Sequence, residues 1–358
     1  MRVIGRLEQV TEARTGMFPI VVLVHNERNI LPEFLRHHRA ICRPHFLVVD
    51  DHSSDGTREL LAAEPDVSLF SPIPGSSYRE DKAAWRKALL DSHAAGRWAL
   101  SLDADELLVF AGMEDRSLDA YCAALDREGA EAVMGPMVDM YADRPLADHV
   151  YPAESAQRLV DAFPCFDGPR LGGGQDALHL RLRNRGPRRR YPTPALALTG
   201  GMRARLFQAG STRTPLSEWA LRHLCRLDQP MNPGVLGMLR HRIARRLIGK
   251  RGEGSLDMTK IPLLRWDEAI GFSGGCHALS VPRRLSESMV ALLHFKFTRG
   301  VSGIEYIAHR GSHAEGSDAY RRMLAMQDIL RRSPIWPGSL RYQDSRSLAG
   351  IVRDIPAR

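Results

Sequence analysis

Three short acidic clusters follow apolar runs in the first third of the chain. His25, Asn26 and Glu27 follow residues 18–24, Asp50 and Asp51 follow residues 45–49, and Asp103, Asp105 and Glu106 close the run that begins at Trp98. Carboxylates are hard oxygen donors, and two of them separated by one small residue, as Asp103 and Asp105 are by Ala104, can be presented to a single hard cation. Mg2+ or Mn2+ is the expected ion, because oxygen ligation suits these metals and leaves positions open for phosphate oxygens. A D-x-D alone is commonly a solvated acidic turn. Its place gives it weight: it ends a strand-like run, and two earlier strand ends are also acidic.

An open parallel sheet brings such clusters together, because ligands bind outside the carboxyl ends of its strands. The layout for one is present. Residues 18–24 form the apolar run of a buried central strand. Residues 29–41 place Ile30, Leu31, Phe34, Leu35 and Ile41 near helical spacing. A second strand is expected at 45–49, and Asp55 can cap a short helix starting near Thr57. A third strand at 67–70, a helix at 80–94 and a fourth strand at 98–103 follow. A helix at 117–128 and a strand at 132–141 continue the pattern. The expected class is α/β, doubly wound, with a mostly parallel sheet covered by helices on both faces.

Beyond residue 142 the pattern loosens. Prolines, the triplet at 172–174 and the run RLRNRGPRRR (181–190) predict long loops around a few short strands. Leu236, Leu239, Ile243 and Leu247 recur at helical spacing among Arg240, Arg242, Arg245, Arg246 and Lys250, which predicts a basic amphipathic helix over 235–248. Residues 289–297 are strand-like, and 302–310 and 316–332 have the pattern of closing helices.

Over 358 residues, 50 Lys and Arg stand against 42 Asp and Glu, and the imbalance is segregated. Residues 1–150 hold 16 basic and 25 acidic groups, whereas 151–358 hold 34 and 17. An acidic half suits cation ligation, and a basic half suits phosphate, nucleic acid or a membrane surface. Five cysteines with no C-x-x-C or C-x-x-H pair argue against a disulfide frame or a structural zinc site. No apolar run approaches the ~20 residues of a membrane span, and no signal-peptide core is visible, so a cytoplasmic protein is expected.

The segments VHNERNILPEFLRHHR, FLVVDDHSSDGT and WALSLDADE resemble successive motifs of family 2 glycosyltransferases of the GT-A fold, in particular a bacterial branch with D-x-D-E at the fourth strand. GGMRARLF, TKIPLLRW, CHAL and ALLHFKF follow in the order of that branch, so the resemblance spans roughly residues 18–345. It implies a nucleotide diphosphate sugar as donor, a glycan, lipid-linked or other hydroxyl acceptor, and transfer with inversion. By the same resemblance Asp51, with Asp50 beside it, accepts a hydrogen bond from the base, and Glu27 and His25 face the nucleoside. Asp103 lies near the ribose or the metal, and Asp105 is the direct metal ligand. The chain then divides into an N-terminal extension (1–16), a nucleotide-sugar-binding half (17–141), an acceptor-side and sheet-completing region (142–312) and a C-terminal helix and tail (313–358).

His294 and Lys296 alternate with apolar residues, so both can project from one strand face, the imidazole completing the metal shell and the ammonium gripping phosphate. Arg203 and Arg205 also alternate, and as strand residues would meet diphosphate or an anionic acceptor. His277 is a weaker candidate. Inversion requires a general base for the acceptor hydroxyl. Asp139, Asp176, Asp267 and Glu268 are available, with Asp267, beside Trp266, and Asp139 preferred.

Competing classes lack their marks. A nicotinamide dehydrogenase needs G-x-G-x-x-G where this chain has HNERN. A sugar nucleotidyltransferase has a Gly-rich, Arg-containing loop after strand one, and a receiver domain is short with its acidic pair after strand one. A non-enzymatic nucleic-acid or polyanion binder would use the basic half, with 181–190 as contact strip, but no recognition helix or zinc module accompanies it. The basic helix over 240–250 carries a separate expectation, peripheral contact with an anionic membrane at its inner face.

Overall fold

The computed structural model describes residues 3–169, 178–207, 214–249, 257–273, 275–311 and 317–356. The chain opens with two short strands, β1 (Val3–Ile4) and β2 (Leu7–Gln9). Alternation then sets in: β3 (Phe18–Val24), α1 (Leu31–Ile41), β4 (Pro44–Asp50), α2 (Thr57–Ala63), β5 (Val67–Pro72), α3 (Tyr78–His93) and β6 (Trp98–Asp103). After them come β7 (Glu106–Val109), α4 (Leu118–Glu128) and β8 (Ala132–Asp139). An excursion holds α5 (Leu159–Ala162), β9 (Cys165–Asp167), β10 (His179–Leu182), α6 (Arg185–Arg190), β11 (Leu196–Thr199), α7 (Met202–Phe207), α8 (Pro215–Leu224) and α9 (Val235–Ile248). The chain then returns through β12 (Thr259–Arg265) and β13 (Ala291–His294) and closes with α10 (Gly300–Arg310), α11 (Asp318–Ala325), α12 (Gln327–Leu330) and β14 (Ser339–Arg341).

Ten strands make one sheet in the order β1-β2-β5-β4-β3-β6-β12-β8-β13-β7. All seven residues of β3 are buried, as a central strand covered on both faces requires. Helix α1 buries Leu31, Phe34, Leu35, His38 and Ile41, one face at i, i+3/i+4 spacing, and Phe34 meets Phe46 of β4 at 6.0 Å. Ser117 caps α4 by accepting from the Ala120 amide at 3.2 Å.

The expected mostly parallel sheet is corrected to a mixed one. Only β5-β4-β3-β6 and the β8-β13 pair are parallel, and the other five pairings run antiparallel. A parallel neighbour requires a crossover back to the starting edge. Strand β12 instead returns from the excursion at the opposite edge and slots between β6 and β8 antiparallel to both. At Gly135 of β8 an added Cβ would stand 2.4 Å from the Val290 carbonyl oxygen, so only glycine permits the segment leading into β13 to lie this close. The closing helix expected over 316–332 is broken at Met326 into α11 and α12. The triplet at 172–174 and Asp176 lie outside the described residues.

Candidate functional site

The parallel register aligns the acidic strand ends. Val24 pairs with Asp50 and Leu23 with Asp103, so the ends of β4 and β6 flank the end of β3 at the same level. At about 4.8 Å per strand, Asp50 and Asp103 are about 10 Å apart across β3. The loop after β3 carries His25 and Glu27 above them, and the Glu27 amide is held by Thr57 Oγ1 at 3.0 Å. Beyond β6 the chain bends through Ala104 and Asp105 into β7, and the Phe295 amide holds the Asp105 carbonyl at 2.8 Å. Strand β13 aligns His294 with Glu106 on one side and Asp139 on the other.

Each carboxylate meets a cation. Asp103 is bonded by Arg86 at Oδ1 and by Lys260 Nζ at Oδ2, the latter at 2.7 Å. Lys260 also lies 3.0 Å from Glu106 Oε1, while Glu106 Oε2 accepts from the Asp103 amide at 3.0 Å. Arg86, Lys260 and Glu106 are buried, at 1%, 2% and 0% exposure. Burial alone would raise the Asp103 carboxyl, but Lys260 and Arg86 outweigh it and hold it well below the usual range. For Glu106 burial wins, and its carboxyl is raised despite Lys260. A Cβ at Gly275 would stand 3.4 Å from Lys260 Nζ and 3.7 Å from Asp103 Oδ2, so this glycine roofs the ion pair. His277 beside it donates from Nδ1 to the Thr259 carbonyl at 2.6 Å; burial, then Lys260, lower it to about 4 and keep it neutral.

A second chain of charges runs through Asp105. His294 Nε2 lies 3.4 Å and Lys296 Nζ 3.7 Å from Asp105 Oδ2. His294 Nδ1 is 2.7 Å from Asp139 Oδ1, and Arg203 Nε donates to Asp139 Oδ2 at 2.9 Å. Burial opposes ionisation of Asp105, but His294 and Lys296 pull its carboxyl far down. Burial disfavours the His294 cation as well, yet Asp105 and Asp139 raise it. Burial would raise Asp139, but Arg203 and His294 bring it to about 2.

His25, Glu27 and Asp51 are faced by α10 and the segment before it. Arg299 donates to Glu27 Oε2 at 2.7 Å, and Arg310 is bonded to Asp51 Oδ2. Tyr306 lies against His25 through its hydroxyl, four residues before Arg310 and so on the same helix face. Burial pushes Glu27 up to about 7 against the pull of Arg299, with nearby Asp105 adding to the rise. Asp50 is fully buried; its Oδ1 accepts from the Ser53 amide at 3.1 Å and its Oδ2 lies 3.8 Å from Arg58 Nε, so it shapes the turn that carries Asp51.

Three expectations are corrected. Asp267 lies at the other end of the sheet: Arg265 pairs with Trp98, the first residue of β6, whereas Asp103 is its last. At about 3.3 Å per residue the two ends are roughly 16 Å apart. Asp267 is occupied there with Arg283 at 3.1 Å, and Trp266 is 1% exposed with its indole donating to Asp91, so no sugar platform accompanies it. Exposed Glu268 is in the same loop. Asp139 joins the cluster, but it is buried with both oxygens engaged by His294 and Arg203, whose charges hold its carboxyl at about 2 and make it a weak base. Arg203 and Arg205 are on helix α7 rather than a strand, so they diverge: Arg203 serves Asp139, and Arg205 makes a two-pronged contact with Asp167. A two-residue alternation in a six-residue segment fits helix and strand alike; here Gly200 and Gly201, both at positive φ, turn the chain into a helix.

Arg86, Lys260, Arg299 and Arg310 were not singled out from the sequence. Lys260 alone left a trace, as a cation set directly before the apolar run IPLL of β12.

The donor set suits a hard divalent cation at one position. Asp103, Asp105 and Glu106 offer oxygens within 4.8 Å of one another. Both Asp103 oxygens and Glu106 are bonded to Arg86 and Lys260, whereas Asp105 meets only His294 and Lys296, at the longer distances of 3.4 and 3.7 Å, and is the carboxylate less tightly held. His294 faces Asp105 with Nε2 while Asp139 holds Nδ1, the orientation that a carboxylate gives to a metal-binding imidazole.

No protein-family model and no curated protein sequence matches this chain.

Proposed function

We propose that the protein is a glycosyltransferase of the GT-A type, moving a sugar from a nucleotide diphosphate sugar to a hydroxyl acceptor. The observation that carries this reading is the meeting of Glu27, Asp51, Asp103 and Asp105 at one sheet edge, opposed by Lys296, His294, Arg299 and Arg310. A nucleoside diphosphate needs both halves of such a site: carboxylates for base and ribose hydroxyls, cations for the diphosphate. Asp51 accepts from the base, which displaces Arg310. Glu27 and Asp103 accept from sugar hydroxyls, and Lys296 meets the phosphates beside Asp105. Asp105 and His294 would hold a divalent cation, which would supply positive charge against the departing diphosphate. Asp139 and Arg203 fix the His294 ring. Inversion rests on the family resemblance, and neither Asp139 nor Asp267 is placed to act as its base.

Thermal shift of the full chain with nucleoside mono- and diphosphates and nucleotide sugars, with Mn2+ or with chelator, tests the reading. Ligand at 100 times its Kd stabilises by about 2.7 kcal/mol, equivalent to about 3–4 °C for a chain of this length. A rise with diphosphates that requires metal is expected. No rise with any of them, or one indifferent to chelator, refutes the proposal.

A further inference from the structure

Helix α9 is seated the wrong way round for an ordinary surface helix. It buries His241 and Ala244, with Ala244 packed against Leu221 and Cys225 at the end of α8. Four of its large apolar side chains point outward, Val235 at 87% exposure, Leu236 at 83%, Leu239 at 50% and Ile243 at 45%, while Ile248 packs on the buried cluster. At 100° per residue these four fall within an arc of about 100°, one continuous stripe along the outer face. A helix packed on a core turns this stripe inward, and a contiguous exposed apolar strip marks a surface that is covered in use. On the same wheel Arg242 borders the stripe on one side and Arg240 on the other, and Arg246 falls within the arc beyond Ile243.

The surroundings state the charge of what covers it. Residues 178–207 and 214–249 carry 14 arginines and no lysine against two carboxylates, Glu218 and Asp228, and Asp228 is already paired with Arg226. A cleft beside α9 is bounded by Leu182, Arg185, Arg188, Arg242, Arg245 and Arg246. Arg185, Arg188, Arg242 and Arg246 make no ion pair among the described residues, and Arg188 Nη1 is buried without a hydrogen-bond partner. An apolar stripe bordered by arginines matches one environment at two depths, with acyl chains for the leucines and phosphates for the guanidinium groups. No helix among the described residues is long and apolar enough to cross a membrane, so the contact is one of lying on the surface.

We propose that α9 docks the protein on an anionic lipid surface, with Val235, Leu236, Leu239 and Ile243 inserted at the acyl boundary and the flanking arginines, including those of the α6 cleft, on the headgroup phosphates. This docking requires neither nucleotide nor metal, so it stands or falls separately from the transfer reaction.

Co-sedimentation of the full chain with vesicles of neutral phosphatidylcholine, and with vesicles containing 30% phosphatidylserine, tests it. Binding to the anionic vesicles alone is expected. Replacing two membrane-facing arginines (R242Q with R246Q) weakens it about 30-fold, at about tenfold per 1.4 kcal/mol and roughly 1 kcal/mol per arginine. L236E with L239E, which leaves the arginines in place, weakens it tenfold or more. Far-ultraviolet circular dichroism and the melting temperature of each variant are measured alongside, and the exposure of the replaced side chains predicts that both stay unchanged. Equal binding to neutral vesicles, no vesicle binding by the parent chain, or indifference to both substitutions overturns the proposal. So does light scattering that shows a dimer dispersed by L236E with L239E, because the stripe is then a contact between copies.

Discussion

Lys260→Met isolates the cation that holds the acidic cluster together. Lys260 is 2% exposed and lies 2.7 Å from Asp103 and 3.0 Å from Glu106. Its loss leaves Asp103 with Arg86 but removes the nearest cation from Glu106, whose own side chain has no exposure. Stranding one member of a buried pair costs about 3–5 kcal/mol. At about 2.1 cal/mol/K per residue of unfolding entropy, this lowers the melting temperature by about 4–7 °C. The pH dependence has a definite sign. Burial already raises the Glu106 carboxyl in the folded protein, and removing Lys260 raises it further. A carboxyl that holds its proton more tightly when folded destabilises as pH rises, so the penalty is larger at pH 8 than at pH 5.5. Thermal melts followed by tryptophan fluorescence at both pH values measure it. Adding Glu106→Gln removes the stranded charge and recovers most of the loss. A single variant within 1 °C of the parent at both pH values, or a double variant no more stable than Lys260→Met, refutes the account.

Asp105→Asn removes the carboxylate that faces His294; donor turnover falls at least about 100-fold and Mn2+ no longer raises nucleotide affinity, as read by sugar release and calorimetry. Asp267→Ala, at the far end of the sheet, leaves turnover within about twofold, since an exposed ion pair contributes little; a large loss would restore Asp267 as the base. Glu27, standing at about 7, is neutral below that pH and an anion above it. Nucleotide affinity that depends on the anion therefore falls about tenfold per pH unit below 7, and Glu27→Gln shows weak affinity without this slope in a fluorescence titration from pH 5.5 to 8.5.

The strands that build the site were legible because buried parallel strands are written as unbroken apolar runs, and the acidic residues follow those runs directly. Residues 18–24 and 98–103 are at once β3 and β6 and the lead into Glu27 and Asp105. Helix α9 was equally legible as periodicity, but its orientation was not, because spacing reports which residues share a face and says nothing of which way that face turns. The D-x-D suggested two equal ligands; the fold gives Asp103 to Arg86 and Lys260 and leaves Asp105 with His294. Those cations come from α3, β12 and β13, up to 189 positions from the carboxylates they meet. The sequence by itself determined which segments are strands and that acidic groups cap them, since both follow from local apolar patterning. Only the tertiary structure decided which charges neutralise one another and which end of the sheet Asp267 occupies, because strand order and direction depend on how distant segments pack.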